Sequence, residues 1–365
     1  MEILSPTILN IVIQAAVALT LLSMILLGVI VLIRWGTDKR YRHSAEFRKE
    51  AKPLVMGFLS GTTSKEEALD ILNEDPKEAL EFLVETGNAQ PLEGRNRIRL
   101  LCAAFPFEEE QLDLLESRRW ETRRSAAERL GSVGGTAAIG PLKSALSDGV
   151  LAVRDAAARS LVAMGRTDVV ESIVLALDVP GEMAERRAAE VIAALGDGAV
   201  DPLVMMLEQQ GVKYSMTSVK IVIRALGLLR AKEAVPALLT LLKNKEFTIR
   251  LNGVRALGLI GDSSVIPEIA ELAEDLPWEV RNVAVQALGR LQAVERIPLM
   301  VRALGDPSWW VRFTSAQALY ALGEPGLRAL QKAMTEHADR YARDISRQIL
   351  QEHRLLQSNP IPSAL

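Results

Sequence analysis

His43, His337 and His353 are the three histidines of the chain, and their placement limits the chemistry they can do. A protein metal site brings a second His, Cys or carboxylate to a fixed short spacing, and none of the three has a second His or Cys at such a distance. No metal site and no cofactor follow from them. Cys102 is the single cysteine and lies in the run Leu100-Leu101-Cys102-Ala103-Ala104, where a small buried thiol fits. It has no partner for an intramolecular disulfide, in keeping with a reducing compartment. No GxSxG elbow, Walker loop or GxGxxG turn after a strand occurs; Gly131 to Gly135 reads instead as a turn between two helices. No catalytic residue is assigned, and the chain is not expected to be an enzyme.

The polar residues that do recur follow a structural period. Arg123, Arg154, Arg250, Arg281, Arg312 and Arg343 fall on one register with a spacing of 31, shared by Glu185 and Val219; only the interval between those two is longer, at 34. Seven residues after each reference stands an aliphatic side chain: Leu130, Leu161, Ile192, Leu226, Leu257, Leu288, Leu319 and Leu350. Four further on come Gly134, Gly165, Gly196, Gly261 and Gly323, suited to end a helix in left-handed geometry, with Arg230 and Gln292 departing from that rule. Pro202, Pro236, Pro267 and Pro298 then mark the first turn of a second helix. Each unit therefore reads as helix, turn, helix. Stacking such pairs makes a continuous core, since one pair cannot bury both its faces. Asp148, Asn244, Asp275 and Asp306 precede four of the arginines by six residues. The expectation is that each accepts backbone donors at the next helix start and meets an arginine of its own or a neighbouring unit.

The lines Glu279-Val280-Arg281-Asn282-Val283-Ala284-Val285-Gln286-Ala287-Leu288-Gly289 and Trp310-Val311-Arg312-Phe313-Thr314-Ser315-Ala316-Gln317-Ala318-Leu319 resemble the HEAT-repeat family, in the short form also found in phycobilisome lyases. The resemblance covers about residues 120 to 350. It implies an all-α fold, a right-handed α-solenoid of helical hairpins, and a function among scaffolds, adaptors and a few enzymes. The HEAT-like enzymes that bind two irons use repeated His-Glu pairs, which are missing here. A lyase-type enzyme acting on a bound chromophore or protein is the alternative that the resemblance carries.

Composition agrees with helix packing, at 49% hydrophobic and only 4% aromatic residues over 365 positions. From Ile8 to Ile33 no residue is charged, long enough for one transmembrane helix. The flank after it is basic, with Arg34, Lys39, Arg40 and Arg42 and the interfacial Trp35. By the positive-inside rule the N-terminus is expected outside and the rest in the cytoplasm, on a single-pass anchor in the cell membrane. The domain reading is an anchor over residues 1–35, a juxtamembrane segment and helical cap over 36–119, the solenoid over 120–357 and a disordered tail over 358–365. Beyond the basic flank the remainder is net acidic, which opposes phosphate binding and hence nucleic acid as a partner. No small-molecule substrate is expected.

The leading functional expectation is a membrane-anchored scaffold that binds a partner protein, itself membrane-associated. Candidate contacts on the second helices are Leu175, Leu203, Met206, Leu299, Arg302 and Leu330, either an outward stripe or simply packed between repeats. Trp120, Trp278 and Trp309 are expected in the core between repeats. Trp310 has Glu, Ala, Met, Thr or Tyr at its equivalent positions and is the candidate partner anchor, either exposed or partly buried against the last repeat.

Overall fold

A computed structural model describes residues 6–209 and 213–358, with side chains from Leu19 onward except those at 30, 32–33, 35–42 and 353–358. The described residues form helices and turns, with no strand among them. Two units divide the chain: Met1–Glu110 with Ser132–Gly135, and Gln111–Gly131 with Thr136–Leu365. Of the tail expected over 358–365, Ser358 is the last residue of a helix and residues 359–365 lie outside the described residues, as do residues 210–212 near the three-residue insertion.

In the first unit, α1 (Pro6–Ser60) runs unbroken through the expected boundary at residue 35 and ends by burying Phe47, Ala51, Val55 and Phe58. Those positions are spaced by three or four, the period of one helix face. α2 (Lys65–Leu72) starts at Ser64, whose hydroxyl accepts from the Glu67 amide while the Glu67 carboxylate accepts from the Ser64 amide. This reciprocal cap satisfies two donors that the first turn leaves open. α3 (Pro76–Asn88) is capped by Asp75, which also lies 2.8 Å from His43 Nε2. α4 (Leu92–Cys102) and α5 (Phe107–Leu115) follow, with the unit boundary inside α5. Cys102 sits in this unit's core, where burial pushes its thiol up to about 12. A thiol held neutral in that way is a packing residue rather than a nucleophile.

One expectation is corrected here. Among the described residues no helix is long and apolar enough to cross a membrane. Within the Ile8 to Ile33 run the described side chains are those at 19–29 and 31. The rest of that run lies outside the described side chains, as do Trp35, Lys39, Arg40 and Arg42; Arg34 is described and exposed. The single-pass anchor, and the outside-to-cytoplasm orientation derived from its flank, are not supported.

The second unit is built from helical pairs in chain order. They are α6 (Trp120–Val133) with α7 (Ile139–Ala145), α8 (Leu151–Ala163) with α9 (Val170–Ala176), and α10 (Glu182–Ala193) with α11 (Val200–Glu208). Then come α12 (Met216–Leu229) with α13 (Val235–Leu241), α14 (Phe247–Ile260) with α15 (Ile266–Glu271), and α16 (Trp278–Arg290) with α17 (Ile297–Ala303). α18 (Trp309–Ala321) pairs with α19 (Glu324–Glu336), and α20 (Arg340–Ser358) follows. Gly165, Gly196, Gly261 and Gly323 all have positive φ where the first helix ends. Arg230 and Gln292 hold the same register with φ of 53° and 55°, so the turn is kept even where the glycine is not.

Leu130, Leu161, Ile192, Leu226, Leu257, Leu288 and Leu319 are all fully buried, one per repeat, in a single core. Successive first helices pack closely because small residues face each other. A Cβ added to Gly227 would lie 2.9 Å from the Ala256 Cα, and one on Gly258 or Gly289 would lie 2.8 Å from the Cβ of Ala287 or Ala318. Any larger side chain at those glycines must push two backbones apart.

The recurrent arginines tie each repeat to the next. Arg250 grips both carboxylate oxygens of Asp275 at 2.7 Å, and Arg281 grips those of Asp306 at 2.7 and 2.9 Å. Arg123 holds Asp148 in the same way at 2.7 and 3.0 Å. The remaining guanidinium nitrogen donates backwards to the carbonyl six residues earlier, as in Arg250 to Asn244, Arg281 to Asp275 and Arg312 to Asp306. Asp148, Asn244 and Asp306 accept in turn from the amides of Val150, Glu246 and Ser308, at the start of the next helix. Arg123, Arg250 and Arg281 thus fasten their own turn and the following one; Arg154 reaches forward to the Ala176 carbonyl instead, and among the described residues Arg312 and Arg343 hydrogen-bond only their own turns. Where the register carries Glu185 and Val219 instead, Glu185 is buried and takes a short ion pair from Lys220, one residue past Val219. The link between the third and fourth repeats persists with its charges exchanged.

Candidate protein-binding face

The first residue of most first helices stands three before the reference and carries a large apolar side chain: Trp120, Leu151, Met216, Phe247, Trp278 and Trp309. All six are between 37% and 45% exposed. This corrects the expectation that the tryptophans fill the core between repeats. The positions three before, one after and five after the reference are four apart, so they share the helix stripe turned away from the buried leucines. The stripe opens on an apolar ridge, one residue per repeat, interrupted only where Glu182 replaces the apolar residue at the start of α10.

The ridge is broadest at α18. Trp309 stacks on Phe313 with ring centroids 5.0 Å apart and meets Trp310 edge-on at 4.9 Å. Trp310 is 55% exposed, which decides between the two alternatives the sequence left for it, and Arg312 lies over the exposed Tyr341 ring at 4.9 Å. Aromatic pairs held by one another present rigid area and lose little entropy when a partner covers them.

The second-helix candidates are placed differently. Leu203, Met206 and Leu330 are buried in the core, and Leu299 packs partly against it. Leu175 is exposed, and Arg302 is exposed and paired with Glu274 at 3.1 Å. The physical reason is a register shift. α9, α13, α15 and α17 bury Ile173, Leu238, Ile269 and Met300, nineteen residues after their references, whereas α11 and α19 bury Leu203 and Leu330, eighteen after theirs. A one-residue difference in the preceding turn rotates a short helix by about 100°. These six positions therefore do not form one continuous groove.

No group of three or more His, Cys, Asp or Glu among the described residues is arranged to hold a metal ion. Two of the open clefts between second-unit helices carry ionisable groups beside apolar ones. One is lined by Leu151, Asp155, Arg159, Leu177, Val179 and Arg187, and the other by Asp168, Glu171, Pro202, Met205, Lys213 and Tyr214. Asp168 in the second is held at about 2 by Arg166 and then Lys143, and Glu171 is held below the ordinary carboxylate range by Lys213 and then Tyr214. Both carboxylates are kept ionised by surface cations, which is ion pairing rather than the raised value a general acid requires.

A stack of helical pairs with a shared core and an arginine–aspartate ladder defines a helical-repeat solenoid. The HEAT repeats profile matches residues 109–195, 220–289 and 266–351, more than half of the chain. The chain belongs to the HEAT repeat family. No curated protein matches it. Among solved structures it is similar to the CpcE–CpcF complex of phycocyanin lyase from Nostoc sp. PCC7120, at 20% identity over 67% of this chain and 94% of that one, with a TM-score of 0.32. It is similar to human deoxyhypusine hydroxylase at 20% identity, covering 76% of this chain and 97% of that one, with a TM-score of 0.29. Similarity to Kap95p, in a structure with RanGDP, is 12% identity over 82% of this chain and 46% of that one, with a TM-score of 0.49.

Proposed function

We propose that this chain is a scaffold or adaptor that holds a partner protein on the outward stripe of its first helices. The observation that carries this reading is the apolar ridge repeated from helix to helix and broadened by Trp309, Trp310 and Phe313 on α18. Scattered exposed apolar side chains need no explanation, but a phased row of them does. Tryptophan is the residue type most enriched where binding energy concentrates. The ridge also stands on helices locked to one another by the arginine ladder, so the surface is rigid before a partner arrives.

The test is affinity capture from extract of the source cells with the tagged chain, comparing wild type, Trp309→Ala with Trp310→Ala, and Leu175→Ala. A specific protein retained by wild type and Leu175→Ala, and lost by at least about tenfold with the tryptophan pair, supports the reading. Retention by all three alike, or loss only with Leu175→Ala, contradicts it.

A further inference from the structure

Along the stripe, the positions one and five after the reference change character midway through the stack. In the first three repeats they neutralise themselves within one helix: Arg124 with Glu128 at 3.1 Å, Asp155 with Arg159 at 2.8 Å, and Arg186 with Glu190 at 3.8 Å. In the next repeats the same positions carry Lys220 and Arg224 on α12, Leu251 and Arg255 on α14, and Asn282 and Gln286 on α16, with Arg290 a turn further on. The acidic partner is missing from all three. Lys220 spends its charge on the buried Glu185, leaving three guanidiniums in neighbouring helices.

Their immediate surroundings leave them poorly satisfied. Arg224 NH2 and Arg255 NH1 both approach the same oxygen, Glu182 Oε1, at 3.7 and 3.9 Å, too far for hydrogen bonds. Glu182 is itself 77% exposed at its side chain, so it is a loose latch rather than a fixed partner. Arg224 is largely buried, its Nε lies 3.8 Å from Glu185 Oε2, and that nitrogen has no hydrogen-bond partner. Arg290 is exposed and has no ion-pair partner among the described residues. Burial first, then repulsion from Arg224 and from Arg290, lowers Arg255 below the ordinary guanidinium range, while Glu182 opposes the shift. Arg224 Nε is sealed from the surface, so the donors offered to an incoming anion are the terminal nitrogens of Arg224 and Arg255, which reach only a distant oxygen, and those of the exposed Arg290.

We propose that Arg224, Arg255 and Arg290 form a receptor for an acidic, amphipathic segment of a partner protein. Its carboxylates would take the open guanidinium donors and its apolar side chains would lie on Met216, Phe247 and Leu251 of the same stripe. The inference rests on the reading of the first-helix stripe as the binding face. A protein segment fits better than nucleic acid because the cations are few and flanked by apolar side chains, and the chain as a whole carries a net charge of −3. Helices packed about 9 Å apart place the three arginines within the reach of a segment of about 18 helical residues.

The probe is a fluorescein-labelled peptide of about that length with Glu on one face and Leu on the other, compared with the same peptide carrying Gln for Glu. Anisotropy is read against the full chain at low and at moderate salt. The Glu peptide should bind at least about tenfold more tightly than the Gln peptide, with the advantage shrinking as salt rises. Arg255→Glu with Arg290→Glu should abolish that advantage and leave the Gln peptide unchanged; Arg290→Glu alone, at an exposed helix end, should reduce it without any effect on folding. Equal binding of the two peptides, unchanged binding by the charge-reversed variants, absence of binding by the Glu peptide, or preference of the arginines for a single-stranded RNA of similar length overturns the proposal. Trp309→Ala with Trp310→Ala, which leaves Met216, Phe247 and Leu251 in place, separates the two readings. If both peptides weaken with that variant but Glu confers no advantage, the ridge stands and the receptor falls; if the Glu advantage needs the arginines while the aromatic variant changes nothing, the receptor stands and the ridge falls.

Discussion

Arg281 makes four hydrogen bonds, two to Asp306 and two to the carbonyls of Asp275 and Leu276, from a side chain that is mostly covered. Removing it strands a carboxylate and two carbonyls together, so Arg281→Ala should destabilise the second unit by about 2 kcal/mol in urea denaturation. Arg281→Lys should recover only part of that, because an ammonium cannot bridge both oxygens. Unchanged stability in both variants would remove the ladder's role. At the other end of the stack, the Arg123 guanidinium holds the Asp148 carboxyl below the ordinary carboxylate value. A depressed native value means that the stabilisation is complete above about pH 4 and fades as pH falls through the native value. The stability gap between wild type and Asp148→Asn should therefore be constant from pH 5 to 7 and narrow below pH 4. This ladder was legible in the sequence because aspartate and arginine recur at the structural period. The exchanged pair of Glu185 and Lys220 was not, because Lys220 stands one residue off the register that reveals the others.

Helix ends and helix contacts set the geometry on which those residues sit. Arg230 closes α12 at φ 53°, a conformation that costs a side chain about 1 kcal/mol and costs glycine nothing. Arg230→Gly should raise the melting temperature, consistent with a gain of up to about 1 kcal/mol, whereas Gly261→Arg at the equivalent end of α14 should lower it. Inside the stack the sign reverses for glycines at helix contacts: Gly258→Val drives a side chain into Ala287 and should cost about 2 to 3 kcal/mol. First helices were readable from their long, phased runs of aliphatic residues. Second helices were readable in existence, through Pro236, Pro267 and Pro298 in their first turns, but not in orientation. Except for the longer α19 they are short, and the turn before them varies by a residue, so Leu203 and Leu330 point inward, the packed alternative of the two that the sequence left open. The expectation that Trp120, Trp278 and Trp309 are core residues failed because hydrophobic type argues for burial while their place at the helix start turns them out.

The second unit is a family of similar contacts in which each repeat relies on its neighbours, and the proposed binding surface is the sum of single residues contributed by successive helices. The all-α repeat architecture was legible throughout, since a phased period over seven hairpins leaves few alternatives. The apolar N-terminal run was legible only as composition, and its reading as a membrane span does not hold among the described residues. What no single repeat reveals is the change along the stripe from self-paired charges to open arginines, a property visible only when the helices are laid side by side. The account's central claim is that this stripe, rather than the second helices, meets a partner. A photocrosslinking amino acid placed singly at Phe247, Trp310 and Leu175 in the chain, expressed in the source cells, tests it most directly. Adducts to one and the same protein from positions 247 and 310, and none from 175, are predicted; adducts from 175 alone, or none from 247 and 310, would contradict it.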